Sequence, residues 1–145
     1  MEGAVEPGLE ADFGLRRGDS FRIDLNLYIP VGSTVALLGP NGAGKSTAVG
    51  AIAGLLPIDS GRIGLAGITL DQPATDVLVP PEARRIGVVF QDSLLFPHMT
   101  AIENVAFGLR SRGLSRPEAM ERAGNWMERL DLSGLELRKP PQLSG

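Results

Sequence analysis

Apolar and polar positions alternate from Phe21 to Ile29. Phe21, Ile23, Leu25, Leu27 and Ile29 are separated by residues such as Arg22, Asp24 and Asn26. That period of two predicts a half-buried strand on an antiparallel edge, ending at Pro30. After the turn Val31-Gly32-Ser33 the pattern changes. Thr34 to Leu38 is continuously apolar, as expected of a strand buried on both faces of a parallel sheet. A glycine-rich turn, 39–44, leads into a helix over about 45–55 that closes at Leu56-Pro57. Two short β-like pieces follow, 62–66 and 68–70, split by Gly67. Residues 71–82, with Pro73, Pro80 and Pro81, read as an irregular loop, and 86–90 as another apolar strand ending at Gln91. Residues 1–12 read as a loose acidic start.

Beyond residue 99 the period becomes helical. Thr100 and Glu103 form a capping box, in which each side chain satisfies an orphan backbone donor at a helix start. Ile102, Val105, Ala106 and Leu109 then share one face. Ser115 and Glu118 form a second box, with Pro117 tolerated in the first turn. Ala119, Ala123, Trp126, Met127 and Leu130 make the apolar stripe of that second helix.

Composition narrows the functional classes. The 145 residues are 43% hydrophobic and 21% charged, which is globular, with a net charge of −3. Nucleic-acid domains are usually basic, so that class is disfavoured. The absence of cysteine excludes disulfides, thiolate metal sites and a cysteine nucleophile, and one histidine, His98, makes no His-rich metal site. No run of about 18 apolar residues suggests a membrane span. No secretory signal is seen, so a cytoplasmic location is expected. The 19 glycines and 11 prolines predict many tight turns.

The candidate chemistry lies in Gly39-Pro40-Asn41-Gly42-Ala43-Gly44-Lys45-Ser46, a G-x-x-x-x-G-K-[ST] pattern between an expected strand and an expected helix. Polyphosphate oxygens need many donors converging on a small concavity. Backbone N–H groups provide them where no Cβ intrudes, and the helix N-terminus adds partial positive charge. Lys45 offers a compact ammonium to the β- and γ-phosphates, and Ser46 a hydroxyl to Mg²⁺. The pattern implies a nucleoside triphosphate without saying how its energy is used.

Leu38 to Thr47 resembles the Walker A segment of an ABC-transporter ATPase subunit. Val89-Phe90-Gln91-Asp92 resembles that family's Q-loop, at the family's distance after the lysine. Leu95 to Thr100 and Glu103-Asn104-Val105 resemble the segment leading into its helical subdomain, and Leu143-Ser144-Gly145 resembles the opening of the LSGGQ signature. Pro80-Pro81-Glu82 and Arg84-Arg85 are similar to importer members, and the N-terminal half to molybdate and related oxyanion or sugar importers.

The resemblance implies an α/β P-loop fold: a mixed sheet with an antiparallel piece over about 1–99, then the start of a helical subdomain over about 100–145, the whole incomplete. It implies that Gly39, Pro40, Asn41, Gly42, Ala43, Gly44, Lys45, Ser46 and Thr47 hold ATP and Mg²⁺. Ser46 and Gln91 would serve the metal, Gln91 would act near the attacking water, and Ser144 and Gly145 would touch ATP held by a second subunit. The implied partners are that second subunit, as a homodimer, and a membrane permease. The implied location is the inner face of the cell membrane, without insertion into it.

Two departures stand out. Where the family stacks adenine on an aromatic, this chain has Arg16, with Phe13 and Phe21 as alternatives. The sequence also stops at the third signature residue, with no later apolar strand ending in Asp-Glu, so it is expected to show no turnover alone. The alternatives to an importer ATPase are a truncated non-enzymatic remnant and an ABC-type ATPase serving another process. His98 is read as structural or interfacial, Trp126 and Met127 as core, and Arg84-Arg85 as a solvated pair. Glu82 and Asp92 are read as surface carboxylates.

Overall fold

The computed structural model describes residues 8–18, 20–92 and 94–143. The chain divides into two compact units on either side of the Val88–Val89 bond.

The first unit is built on a five-stranded sheet in the order β2-β1-β3-β4-β5, with β1 Leu9–Arg17, β2 Phe21–Ile29, β3 Ser60–Leu65, β4 Ile68–Gln72 and β5 Val77–Leu78. Every pairing is antiparallel. As the alternation predicts, β2 is an edge strand, and its outward Arg22 and Asp24 form an ion pair at 2.7 Å. Charges of this kind protect a free edge from pairing with another chain. The hydrogen bond from Arg22 holds the Asp24 carboxyl below the usual carboxylate range.

The expected loose start is corrected. Residues 9–12 belong to β1, an inner strand that pairs with both β2 and β3. Its Leu9, Ala11, Phe13 and Leu15 alternate with Glu10 and Asp12, and the acidic residues obscure the period. Glu10 accepts a 2.6 Å hydrogen bond from Arg62 of β3, which also donates to Thr69 of β4 at 3.0 Å. One guanidinium therefore links three strands.

Helix α1, Lys45–Ala53, lies on one sheet face through Ala48 and Ala51. These pack with Ala11, Phe13, Leu15, Ile58, Ile63 and Leu70. Small helix residues let the backbone come close to the larger strand side chains, giving the dense packing that interiors require.

Two further expectations are corrected. The runs 34–38 and 86–90 pair with no strand among the described residues. Leu38 is 88% exposed and Val89 100%. Their apolar pattern suits burial between flanking strands, and no described residue supplies them. Within the expected loop 71–82, Asp71 and Gln72 complete β4, Val77–Leu78 forms β5, and Pro73–Thr75 and Pro81–Ala83 are single 3₁₀ turns.

The second unit contains α2 Ala101–Ser111 and α3 Arg116–Arg129. Both capping boxes form as the sequence predicts. Ala106, Ala119 and Ala123 are fully buried between the helices, with Ile102, Leu109, Leu114 and Met120 around them. Met127 is buried as expected. Trp126 and Leu130 are not core residues: Trp126 is 50% exposed, with the Arg129 guanidinium 4.4 Å from its ring. The buried stripe runs Ala119, Ala123, Met127, one residue per turn, which turns position 126 outward. Val105 likewise faces out. No helix among the described residues is long and apolar enough to cross a membrane.

The boxes predict a pH response. The hydrogen bonds from the Thr100 backbone and from the Ser115 hydroxyl hold Glu103 and Glu118 below the usual glutamate range. A depressed folded-state value stabilises the fold above the unfolded value, about 4.5, and that contribution disappears as pH falls through the folded value. Helical circular dichroism should therefore decline on acidification below about pH 4.5. The double variant Glu103→Gln/Glu118→Gln, whose amides still cap, should flatten that decline. An unchanged acid profile would show that the boxes do not contribute.

Candidate functional site

The glycine-rich turn lies where α1 begins, as its pattern requires. Gly44 is the N-cap, at φ 92°, and makes no side-chain cap. The first turn of α1 contains no acidic residue. Its N-terminal N–H groups are therefore uncapped by side chains, with the helix dipole aimed outward. Ala43 N–H donates to Pro40 O at 3.3 Å, which closes the turn. The Lys45 ammonium folds back across it, donating to Gly39 O at 2.7 Å and to Pro40 O at 2.8 Å. Two of its three donors thus brace the loop, and Lys45 remains partly exposed.

Gly44 has a second reason to be glycine. A Cβ there would lie 2.5 Å from Ile23 Cγ2 and 3.0 Å from Phe21 Cζ. Strand β2 is the floor of the turn, and a shallow pocket of about 120 Å³ is lined by Ile23, Asp24, Leu37, Gly44 and Lys45. Phe21, one of the aromatic alternatives for meeting the base, is half-buried in β2, and its ring tip lies 3.0 Å from where a Gly44 Cβ would sit. Phe13, the other aromatic alternative, is 3% exposed inside the core and has no face free to stack on a base. Arg16 is exposed, and its backbone N–H donates to Asp59 at 2.6 Å.

The structure gathers residues 39–47 in the first unit. Gln91 and Asp92 open the second unit and are exposed. Ser144 and Gly145 lie outside the described residues. Among the described residues no group of three or more His, Asp or Glu is arranged to hold a metal. Glu82 is exposed, as expected. His98 is exposed and meets the Phe96 ring at 6.1 Å, and Phe96 packs on Phe107 at 4.4 Å. Asn104 ties this loop: its side-chain oxygen accepts from Phe96 N–H at 2.8 Å, and its amide donates to the Phe96, Met99 and Thr100 carbonyls. That binding of the loop to α2 is a structural reason for asparagine at 104.

Arg84 departs from the expected solvated pair. It is 2% exposed, and its guanidinium donates to the carbonyls of Val79, Ala51 and Ile52 at 2.8–3.0 Å. The Asp71 carboxylate lies 3.5 Å away. Its neighbour Arg85 is exposed, as expected. Nothing in the dipeptide distinguishes the two arginines, and Asp71, the buried carboxylate that Arg84 faces, reads as loop in the sequence.

An uncapped helix start, a preformed turn and an ammonium across it fit a polyphosphate: donors converge, and the one carboxylate lining the pocket, Asp24, is paired with Arg22. Ser46 and Thr47 add hydroxyls in the first turn.

Known proteins share this sequence pattern and this fold. The family described as ABC transporter matches residues 23–145. The chain is 43% identical over 122 residues to the Fe(3+) ions import ATP-binding protein FbpC of Rhizobium etli, covering 84% of this chain and 33% of that protein. It is 41% identical over 128 residues to the molybdenum import ATP-binding protein ModC of Mycobacterium tuberculosis, covering 86% and 35%. It is 42% identical over 136 residues to the sulfate/thiosulfate import ATP-binding protein CysA of Mycobacterium bovis, covering 93% and 37%. The chain thus spans about a third of the length of these relatives. Among solved structures, a dimeric post-hydrolysis state of the ATP-binding cassette MJ0796 bound to ADP and Pi superposes with a TM-score of 0.75 at 29% identity, over 94% of this chain and 63% of that one. The cbiO1 protein of Clostridium perfringens, part of the transporter complex cbiONQ, gives 0.75 at 28%, over 96% and 56%. With the family pattern covering residues 23–145 and the same α/β fold in its solved members, the chain belongs to the ABC transporter family, as part of its ATP-binding domain.

Proposed function

We propose that this chain is the phosphate-binding part of an ATPase subunit that powers import of a small inorganic solute, molybdate or another oxyanion among the candidates. The observation that carries the ATP reading is the 39–47 turn, with its uncapped helix start and the Lys45 ammonium at its mouth. The importer reading is supported by the names of relatives at 41–43% identity. Two of those names specify molybdenum and sulfate/thiosulfate.

In this reading the backbone N–H groups from Gly42 to Thr47 donate to the phosphates. Lys45 gives up its carbonyl partners for the β- and γ-phosphate oxygens, which are stronger, charged acceptors. Ser46, with Gln91 as the second candidate ligand, holds Mg²⁺, which neutralises phosphate charge when bound. Arg16 or Phe21 meets the base. Ser144 and Gly145 face the ATP of a second copy, and the segment around Gln91 meets a membrane permease at the inner face of the membrane. About 1–99 serves as the P-loop core and about 100–145 as the helical subdomain.

The 145 residues cradle phosphates without aligning a water for in-line attack, since they contain no Asp-Glu pair closing an apolar strand. A phosphate-release assay on the purified chain, with Lys45→Ala as the blank, should show no steady turnover. A rate near 1 s⁻¹, at the low end of ordinary enzymes at about 1–10³ s⁻¹, abolished by the substitution, would contradict this. The import reading is tested by placing Lys45→Ala in the gene encoding this chain. Uptake of labelled molybdate or sulfate should fall to the level of a deletion strain, and undiminished uptake of both would count against an oxyanion solute.

A further inference from the structure

We propose that Arg84 is a positioning residue for the phosphate loop, acting from the opposite end of α1. This rests on the reading that the loop takes a polyphosphate. Helix α1 has nine residues, so its ends are about 13 Å apart. Its last turn leaves carbonyls without helical partners. Arg84 donates to Ile52 O at 3.0 Å and to Ala51 O at 2.9 Å, the latter also accepting the Gly54 cap N–H at 3.0 Å.

The same guanidinium donates to Val79 O at 2.8 Å and faces Asp71 of β4 at 3.5 Å. Asp71 also accepts from Ile58 N–H, in the segment leaving the helix, at 3.4 Å. The helix end is thereby fixed to the sheet in position and in rotation. No buried polar side-chain atom among the described residues lacks a partner, so the burial of this charge is fully compensated.

A rigid helix transmits that fixation to its start. The direction of its axis sets where the N–H groups after Gly44 point, and its rotation sets where Lys45 leaves the helix. The positive charge also complements the C-terminal end of the helix dipole.

Gly54 supplies an independent sign that the space is reserved. It follows the helix at φ 83°, and a Cβ there would meet Arg84 Nε at 2.5 Å and Cζ at 2.8 Å. Any side chain at 54 would displace the guanidinium.

The test uses the whole chain and two readouts. The first is equilibrium binding of MgATP and of inorganic tripolyphosphate with Mg²⁺. Arg84→Met should weaken both about tenfold and equally, because the loss lies in the phosphate cradle rather than at the base. Arg84→Lys should fall between, and Gly54→Ala should behave as Arg84→Met. Leu70→Ala, a cavity in the same core, is the control for lost stability and should change affinity less than about twofold. If Arg84→Met does not fold, Arg84→Lys and Gly54→Ala carry the comparison.

The second readout needs no ligand. Amide resonances of Gly42, Gly44 and Lys45 should shift in Arg84→Lys and stay in place in Leu70→Ala. Wild-type affinity and unmoved loop amides in the Arg84 and Gly54 variants, or equal losses in Leu70→Ala, would overturn the role of Arg84. Failure of the wild type to bind either compound would instead overturn the ATP reading, and the ligand-free resonances would still decide whether Arg84 sets the loop.

Discussion

Lys45→Ala is expected to lower the affinity of the chain for MgATP by one to two decades. Lys45 is the one basic residue within 39–47, and its ammonium already bridges the Gly39 and Pro40 carbonyls at 2.7 and 2.8 Å. Bound phosphates replace those neutral acceptors with charged ones. A charge-assisted hydrogen bond contributes about 1.5–3 kcal/mol, or roughly ten- to a hundredfold in affinity. Alanine also removes the brace across the turn, so part of the loss should arise before any ligand arrives. Calorimetric titration of both proteins decides the matter, and equal affinities would remove Lys45 from the site.

Gly44→Ala should be at least as damaging, through a different cause. The residue sits at φ 92°, where an L side chain costs about 1–2 kcal/mol. Its Cβ would also press on Ile23 and Phe21 at 2.5 and 3.0 Å, and overpacking of that kind costs about 1–3 kcal/mol. The loop must shift, β2 must give way, or both. Gly42→Ala is the informative companion: φ there is also positive, at 82°, but nothing lies within 4 Å, so only the backbone cost applies. Gly44→Ala should therefore lower thermal stability and MgATP affinity more than Gly42→Ala. Equal effects would mean that β2 does not support the turn.

The candidate site is largely legible in the sequence because its chemistry is local. A glycine-rich turn, a lysine and a helix start fall within a dozen consecutive residues, and capping boxes are equally local. What the sequence hid depends on distant partners. Leu9 to Leu15 alternate, but Glu10 and Asp12 make the stretch look like a solvated start until Arg62 arrives from β3. Arg84 and Asp71 are 13 positions apart, and their burial depends on the end of α1, further still up the chain. Trp126 shows the opposite error: it fits a broad helical stripe, yet the buried line is set by the small residues Ala119 and Ala123, which let α2 come close. The runs 34–38 and 86–90 have a correct buried-strand pattern and no described partner, because a pattern reports what a segment needs and not what is beside it.

The most direct measurement of the central claim is amide chemical-shift mapping of the isotope-labelled chain with MgATP and, separately, with inorganic tripolyphosphate. If the 39–47 turn is a phosphate cradle, both ligands should move the amides of Gly42, Ala43, Gly44, Lys45 and Ser46 saturably, and MgATP alone should move additional resonances around Arg16 and Phe21. If MgATP binds while the 42–46 amides stay in place, or if the same shifts persist undiminished in Lys45→Ala, the turn is not the site.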